Sequence, residues 1–564
     1  MQSNLQISPD RHNLGIVQPD DSNRCALYRL NTDILLEIID YLPYDSLLEI
    51  SLACKRLWEV CRPPLFRNVV LHVRRIDRVQ EALAMRQADI WKYTNHLVFT
   101  GEWQNLCSVV PHNAIATFVA DMPNLHRVII EGDELPSRVE VSIPWPYLRA
   151  ILSSASRLRY LDILVAVELN GDATAISELD FPLPCLTSLT LTIPDYKRHP
   201  RHDTTRVKLL SALLPRLSSM LTQLFVSLDV APLQLIATSQ WPCLRELTLQ
   251  GDRRASLDPH LVSIALAAGM PELRSFSILR ARRKTRRRLI LWPADWTGGI
   301  PFPKLECLEV SYPNPKDDLY SHLPDTLRRL SLRCWPRHYM HQQRCDRNAM
   351  NRLRWQSPVL TASEMLSILQ RCRSVPLEQL EIEYRVDEND EVLLRSLAEL
   401  FPALRTLTVY RYRAEGSSDD IPVSIAQALS HLHHLQVLRA HLDFPHAPHT
   451  LSPFQTYPRR FAELDAFQDF LSQPADTLAR RLSPSLRFVC LLHRIIYDNE
   501  WLPFRIVRDA CHAADADDSH PTFKEVRLED TALTVEGLQM MDDPSPYTPD
   551  TIPPGPDFID DFEF

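Results

Sequence analysis

Phe401-Pro402-Ala403-Leu404-Arg405-Thr406-Leu407-Thr408-Val409 is the phrase that decides how this chain folds. A proline opens a turn, a leucine follows, and apolar side chains then alternate with polar ones, the mark of a half-buried strand. The phrase returns at Met122-Pro123-Asn124-Leu125 before Val128-Ile129-Ile130, and at Leu183-Pro184-Cys185-Leu186 before Leu189-Thr190-Leu191. It recurs at Trp241-Pro242-Cys243-Leu244 before Leu247-Thr248-Leu249, and at Met270-Pro271-Glu272-Leu273 before Phe276-Ser277-Ile278. Further copies are Phe302-Pro303-Lys304-Leu305 with Leu308-Glu309-Val310, Leu323-Pro324 with Leu330-Ser331-Leu332, and Val375-Pro376-Leu377 with Leu380-Glu381-Ile382. Ser156-Arg157-Leu158 leads into Leu161-Asp162-Ile163 without a proline, and weaker copies sit at Leu435 to Leu438, Leu486 to Val489 and Phe523 to Leu528.

Helical runs precede many of these strands: Ala114–Ala120, Leu209–Leu214, Leu261–Ala268, Glu364–Leu369, Val392–Leu400 and Ile425–Leu432. Helix and short strand alternating at twenty to forty residues predict an α/β chain of stacked coils with parallel strands. One coil cannot bury its own leucines, so copies must pack on each other. An ordinary α/β domain with parallel strands is the alternative. The recurrence resembles irregular leucine-rich-repeat domains and covers most of residues 67–530, although the asparagine of the standard repeat is largely missing.

Ahead of the repeats, Leu30 to Val73 reads LNTDILLEIIDYLPYDSLLEISLACKRLWEVCRPPLFRNVVLHV. Leu30, Ile34, Leu35, Ile38, Ile39 and Leu42 have the spacing of one helix face. Pro43 stops that helix, and Ser46 with Glu49 has the spacing of a capping box for a second. A third short helix from Cys54 to Trp58 is expected to close at Pro63-Pro64, before β-rich Val69–Val73. About forty residues in three helices cannot bury every apolar face internally. Asp33-Ile34-Leu35, Tyr41-Leu42, Asp45, Leu47-Leu48 and Cys54-Lys55-Arg56-Leu57-Trp58 resemble an F-box, with Asn31 where the family has proline.

Composition sets bounds on the rest. The 564 residues are 45% hydrophobic and 24% charged, too many for one ordinary compact domain unless the architecture is elongated or repetitive. The net charge of −9 gives no bulk reason to expect nucleic acid. Eleven glycines fall far below the usual share, which counts against glycine-rich phosphate loops. Twelve scattered cysteines without a CxxC pair read as free thiols in a reducing compartment. With no apolar run of membrane-spanning length and no charged and apolar leader, an intracellular, soluble chain, cytoplasmic and/or nuclear, is expected.

The expected organisation is a disordered leader over 1–28, the three-helix F-box over 29–66, the solenoid over 67–540, and a disordered acidic, proline-rich tail over 541–564. Loop insertions are expected near 281–300, 335–360 and 443–465. The proline- and histidine-rich stretch from Asp443 to Arg460 marks the last of these.

The motifs of nucleotide binding, serine hydrolases and zinc proteases are absent, and no RING-type ligand series occurs. Cys334, His338, His341 and Cys345 have zinc-competent chemistry, weighed against a solvated repeat loop. Arg280 to Arg288 packs seven basic residues into nine, to be read as a solvated loop, a nuclear-import signal, or a substrate or nucleic-acid contact. Arg328, Arg329 and Arg333 could meet a phosphate or remain solvated. Cys185 and Cys243 read as small packing residues, and Leu432-His433-His434-Leu435 as a helix end leading into a strand.

The F-box resemblance implies docking to a Skp-type adaptor and cullin complex, with the concave strand face and nearby loops holding a protein substrate for ubiquitin transfer. It implies no catalytic residue, no metal and no cofactor, and neither membrane nor nucleic acid as partner. The side chains it points to for the adaptor are Leu30, Ile34, Leu35, Ile38, Leu42, Pro43, Leu47, Leu48 and Leu52, with Trp58 at the junction. The alternatives are helices that only cap the solenoid, a repeat scaffold without ubiquitin transfer, and a hydrolase or metal enzyme hidden in the repeats.

Overall fold

The computed structural model describes residues 30–530, apart from 86–88, 133–141, 169–180, 193–202, 253–262, 284–287, 295, 342–343, 414–420, 445–446, 448–456, 495–498 and 509–525. The expected leader and tail lie outside the described residues, as do much of the histidine-rich insertion and the middle of the basic run.

The recurring phrase is a turn followed by a strand. The carbonyl of Met122 accepts from the Leu125 amide at 3.1 Å, and the same closure joins Met270 to Leu273, Phe302 to Leu305 and Phe401 to Leu404. Proline therefore occupies the second position of each turn, where its fixed φ is already correct. Leu432 to Leu435 closes the same turn with His433-His434 in place of proline, both exposed.

The strands that follow are β1 (Asn68–His72), β2 (His96–Thr100), β3 (Arg127–Glu131), β4 (Tyr160–Ile163), β5 (Ser188–Leu191), β6 (Gln223–Ser227) and β7 (Glu246–Gly251). The series continues with β8 (Ser275–Arg280), β9 (Cys307–Ser311), β10 (Arg329–Arg333), β11 (Gln379–Arg385), β12 (Thr406–Tyr412), β13 (Val437–Leu442) and β14 (Phe488–Arg494). Each pairs in parallel with the next, so chain order is spatial order. Two antiparallel strands, β15 (Asn499–Arg508) and β16 (Val526–Asp530), close the end. The described part of the weak copy, Val526 to Leu528, therefore lies in an antiparallel end strand and not in another parallel coil. Among the described residues these belong to a 17-stranded sheet.

Register puts equivalent leucines in columns. Leu247, Phe276, Leu308, Leu330, Leu380, Leu407 and Leu438 are successive partners, and all are buried. They meet helices on one side, including Asp390–Leu400 and Ile421–Leu429. Alternate strand residues face the other way. Each buried leucine contributes about 1.5–3 kcal/mol gross, and stacking repeats that gain coil by coil.

The N-terminal unit forms as three helices, α1 (Thr32–Asp40), α2 (Tyr44–Ala53) and α3 (Lys55–Leu65). Two local expectations are corrected. Helix α2 begins at Tyr44 after Pro43, so Ser46 lies inside the first turn and caps nothing. Helix α3 runs through Pro63 and Pro64 and is capped instead by the Cys54 thiol accepting from the Leu57 amide. A capping box does form at Thr361 with Glu364, at the start of helix Ala362–Arg371.

Candidate functional site

The ten side chains singled out on the helical unit fall into three environments. Leu35 and Leu47 are core, packed with Ile39, Val60, Cys61 and Leu65. These two side chains hold the helices together and present little surface of their own. Leu30, Leu42 and Trp58 lie half-buried against that core, and Leu48 is also half-buried. Ile34, Ile38, Pro43 and Leu52 are exposed, Leu52 by 79%. Tyr41 and Tyr44, outside that set, join them on the surface at the α1–α2 corner.

The unit is tied at both ends. The Arg56 guanidinium donates to the Leu30 carbonyl at 2.6 Å, holding the start of α1 to α3. Arg62 lies 6.0 Å from the Trp58 ring centre and 5.6 Å from that of Tyr93, which belongs to the first coil. Trp58 thus sits at the junction with the solenoid. Among the described residues the apolar face of α1 and α2 has no intramolecular partner that would bury it.

The second surface is the sheet face opposite the helices. Its C-terminal part is already filled. After β10 the chain forms a folded insertion containing 3-10 turn His338–His341, helix Arg344–Leu353 and strand Trp355–Gln356. Trp335, Tyr339, Met340, Met350 and Trp355 pack there with Leu279, Tyr410, Tyr412 and Leu492, which face outward from β8, β12 and β14. The solvated loop expected near 335–360 is instead a second small core.

Charge locks this insertion in place. The Glu383 carboxylate accepts from the amides of Cys334 (2.7 Å) and His338 (2.9 Å), from the Tyr412 hydroxyl (2.9 Å) and from Arg337 (3.2 Å). Arg337 also pairs with Glu381 and lies 4.1 Å from the Tyr410 ring centre. Arg333 pairs with Glu309 and is buried, so of the three arginines considered for phosphate it is already committed. Arg328 pairs with Glu378, while Arg329 is exposed.

The zinc-spaced residues take part in the same packing. The Cys334 thiol donates to the Pro358 carbonyl at 3.2 Å, and burial pushes its pKa up. His338 Nδ1 is 2.6 Å from the Ser357 carbonyl, and His341 Nε2 accepts from the Ser357 amide at 3.1 Å. Burial lowers the pKa of His338 and takes that of His341 down to about 4, with help from His338 and Arg347. The Cys345 side chain lies outside those described, and no group of three or more metal-competent side chains converges among the described residues.

Other readings are revised too. Arg282 and Arg283 pair as a strand with Trp355–Gln356, and Arg288 makes a two-pronged bond to Glu364 at 2.8 and 3.1 Å. Those parts of the basic run are built into the fold. Cys185 and Cys243 are exposed, because the inward positions belong to the leucines that follow them. Among the described residues no helix is long and apolar enough to cross a membrane.

The class these features define is a parallel-strand solenoid of leucine-rich coils with an N-terminal helical unit. No family model and no curated protein matches the chain. Among solved structures it is similar to the leucine-rich repeat-containing protein LegL7 from Legionella pneumophila, with 11% identity and a TM-score of 0.27 over 66% of this chain and 93% of that one.

Proposed function

We propose that this chain is the substrate-recognition subunit of a cullin-RING, SCF-type ubiquitin ligase. The helical unit docks to a Skp-type adaptor, and the solenoid holds a protein substrate. The observation that carries the reading is the exposed apolar set Ile34, Ile38, Pro43 and Leu52, on helices whose own core is complete without it. Water-exposed leucine and isoleucine on a small unit are stabilised by a partner that covers them. The F-box-like order of residues names that partner as the adaptor. The chain itself performs no chemical step in this reading.

Copurification of the full chain with a Skp-type adaptor tests it, beside an Ile38→Ser/Leu52→Ser variant. The wild type is expected to retain the adaptor and the variant to lose it while keeping its fold. Equal retention, or none by a folded wild type, sinks the proposal. Retention of adaptor without recruitment of cullin would leave a scaffold without ubiquitin transfer.

A further inference from the structure

The face of the sheet varies in charge along the solenoid. Under the insertion it carries Glu309, Glu381 and Glu383, each met by an arginine of the same chain. The first coils carry exposed cations, Arg67 and Arg159, beside two carboxylates, the half-buried Glu131 and the buried Asp162, the latter held by Arg127. The Arg67 carbonyl accepts from the Asn95 and His96 amides, the Asn95 carbonyl from His126 and Arg127, and the His126 carbonyl from Arg159 and Tyr160. That ladder sets Arg67, His96, His126 and Arg159 along one edge of neighbouring strands.

None of these four side chains makes a hydrogen bond or ion pair among the described residues. Arg67 and Arg159 are exposed. Burial lowers the pKa of His96, and Arg127, Arg67 and His126 lower it further. Arg127 alone is matched, by Asp162 at 2.9 and 2.8 Å. Beside this edge the register aligns Val70, Val98 and Ile129 across β1 to β3. Val70 is 51% exposed and Tyr160 43%, although a strand interior normally covers such side chains.

We propose that the open face of β1–β4 receives an extended segment of another protein that carries both carboxylates and apolar side chains. The carboxylates meet Arg67 and Arg159, and the apolar side chains cover Val70, Val98 and Ile129. Guanidinium groups without a partner favour carboxylates through charge-assisted hydrogen bonds. The insertion excludes such a segment from the other half of the sheet. That the segment belongs to a substrate rests on the receptor reading above; the binding itself does not.

The probe is a fluorescein-labelled synthetic peptide with the sequence Asp557-Phe558-Ile559-Asp560-Asp561-Phe562-Glu563-Phe564, an acidic and apolar stretch of this chain. Anisotropy is followed with the full chain and with a chain ending at residue 540. Both are expected to bind. Arg67→Glu with Arg159→Glu weakens binding about tenfold or more, as loss of charge-assisted contacts predicts. Val70→Ser also weakens it, and Arg329→Glu, six strands away on β10, leaves it unchanged. No binding, or equal binding by all variants, overturns the proposal. Binding only by the shortened chain overturns it as well, because the chain's own acidic segment then occupies the face. Adaptor capture is measured on the same variants, so failure here is distinguishable from failure of the helical docking surface.

Discussion

Arg337 and Glu383 face each other at 3.2 Å with side chains 2% and 0% exposed, joining the insertion to a strand 46 residues further along the chain. The pair is not isolated, since Glu383 also accepts two insertion amides and the Tyr412 hydroxyl. Removing Glu383 takes the acceptor from those three buried donors, a loss of about 3–5 kcal/mol in all, while Arg337 keeps its pairing with Glu381. Glu383→Ala is therefore expected to lower stability by that amount in urea denaturation. Limited proteolysis should then cut within residues 338–356, which the wild type protects. Unchanged stability and unchanged protection would show that the insertion is held by its aromatic packing alone.

Acid should loosen the same region. His341 is held neutral down to about pH 4, chiefly by burial, while in the unfolded chain it protonates near its ordinary value of about 6.5. Between those values the unfolded state binds the extra proton, so stability is full above about pH 6.5 and falls as pH drops toward 4. A proton on Nε2 would also remove the acceptor for the Ser357 amide. The urea midpoint is expected to be lower at pH 5 than at pH 7. His341→Gln, which can accept but not titrate, should shrink the difference; an undiminished difference assigns the effect to other groups.

The helical unit separates stability from docking. Leu35→Ala removes a core side chain and should cost about 2–5 kcal/mol, enough to melt a unit of this size. Leu52→Ser changes a side chain already in water and should leave the thermal melt of the unit within a degree or two. A Leu52→Ser variant that melts like Leu35→Ala would mean that Leu52 is buried in solution.

Asp317 tests how coils are fastened outside the leucine columns. Its buried carboxylate accepts from the amides of Leu291 (2.5 Å), Trp292 (3.0 Å) and Leu319 (3.1 Å), pinning the stretch after the basic run to the next coil. Asp317→Ala leaves buried donors unmade, at about 1–3 kcal/mol for each. Denaturation should show at least one such increment. A smaller loss would indicate that water replaces the carboxylate.

The solenoid was legible because its signal is local. Proline, leucine and alternating apolar residues within nine positions specify turn and strand together, and those strands form where the phrase occurs. Strand β2 escaped this reading because Thr94, wholly buried, takes the inward leucine position before it and its turn carries no proline. The place of the insertion near 335–360 was legible, but its folded core was not. Cysteine, histidine and arginine at residues 334–347 look like a polar loop until Glu381 and Glu383 arrive beside them through sheet register. On the helical unit, periodicity found the apolar residues but could not separate the inward Leu35 from the outward Ile34 and Ile38, which sit on adjoining faces of one helix.

Hydrogen–deuterium exchange of the full chain, alone and with a purified Skp-type adaptor, tests the central claim most directly. The proposed function predicts added protection across 32–53, the span of α1 and α2, with β1–β14 unchanged. No added protection in that span, or protection confined to the solenoid, would contradict it.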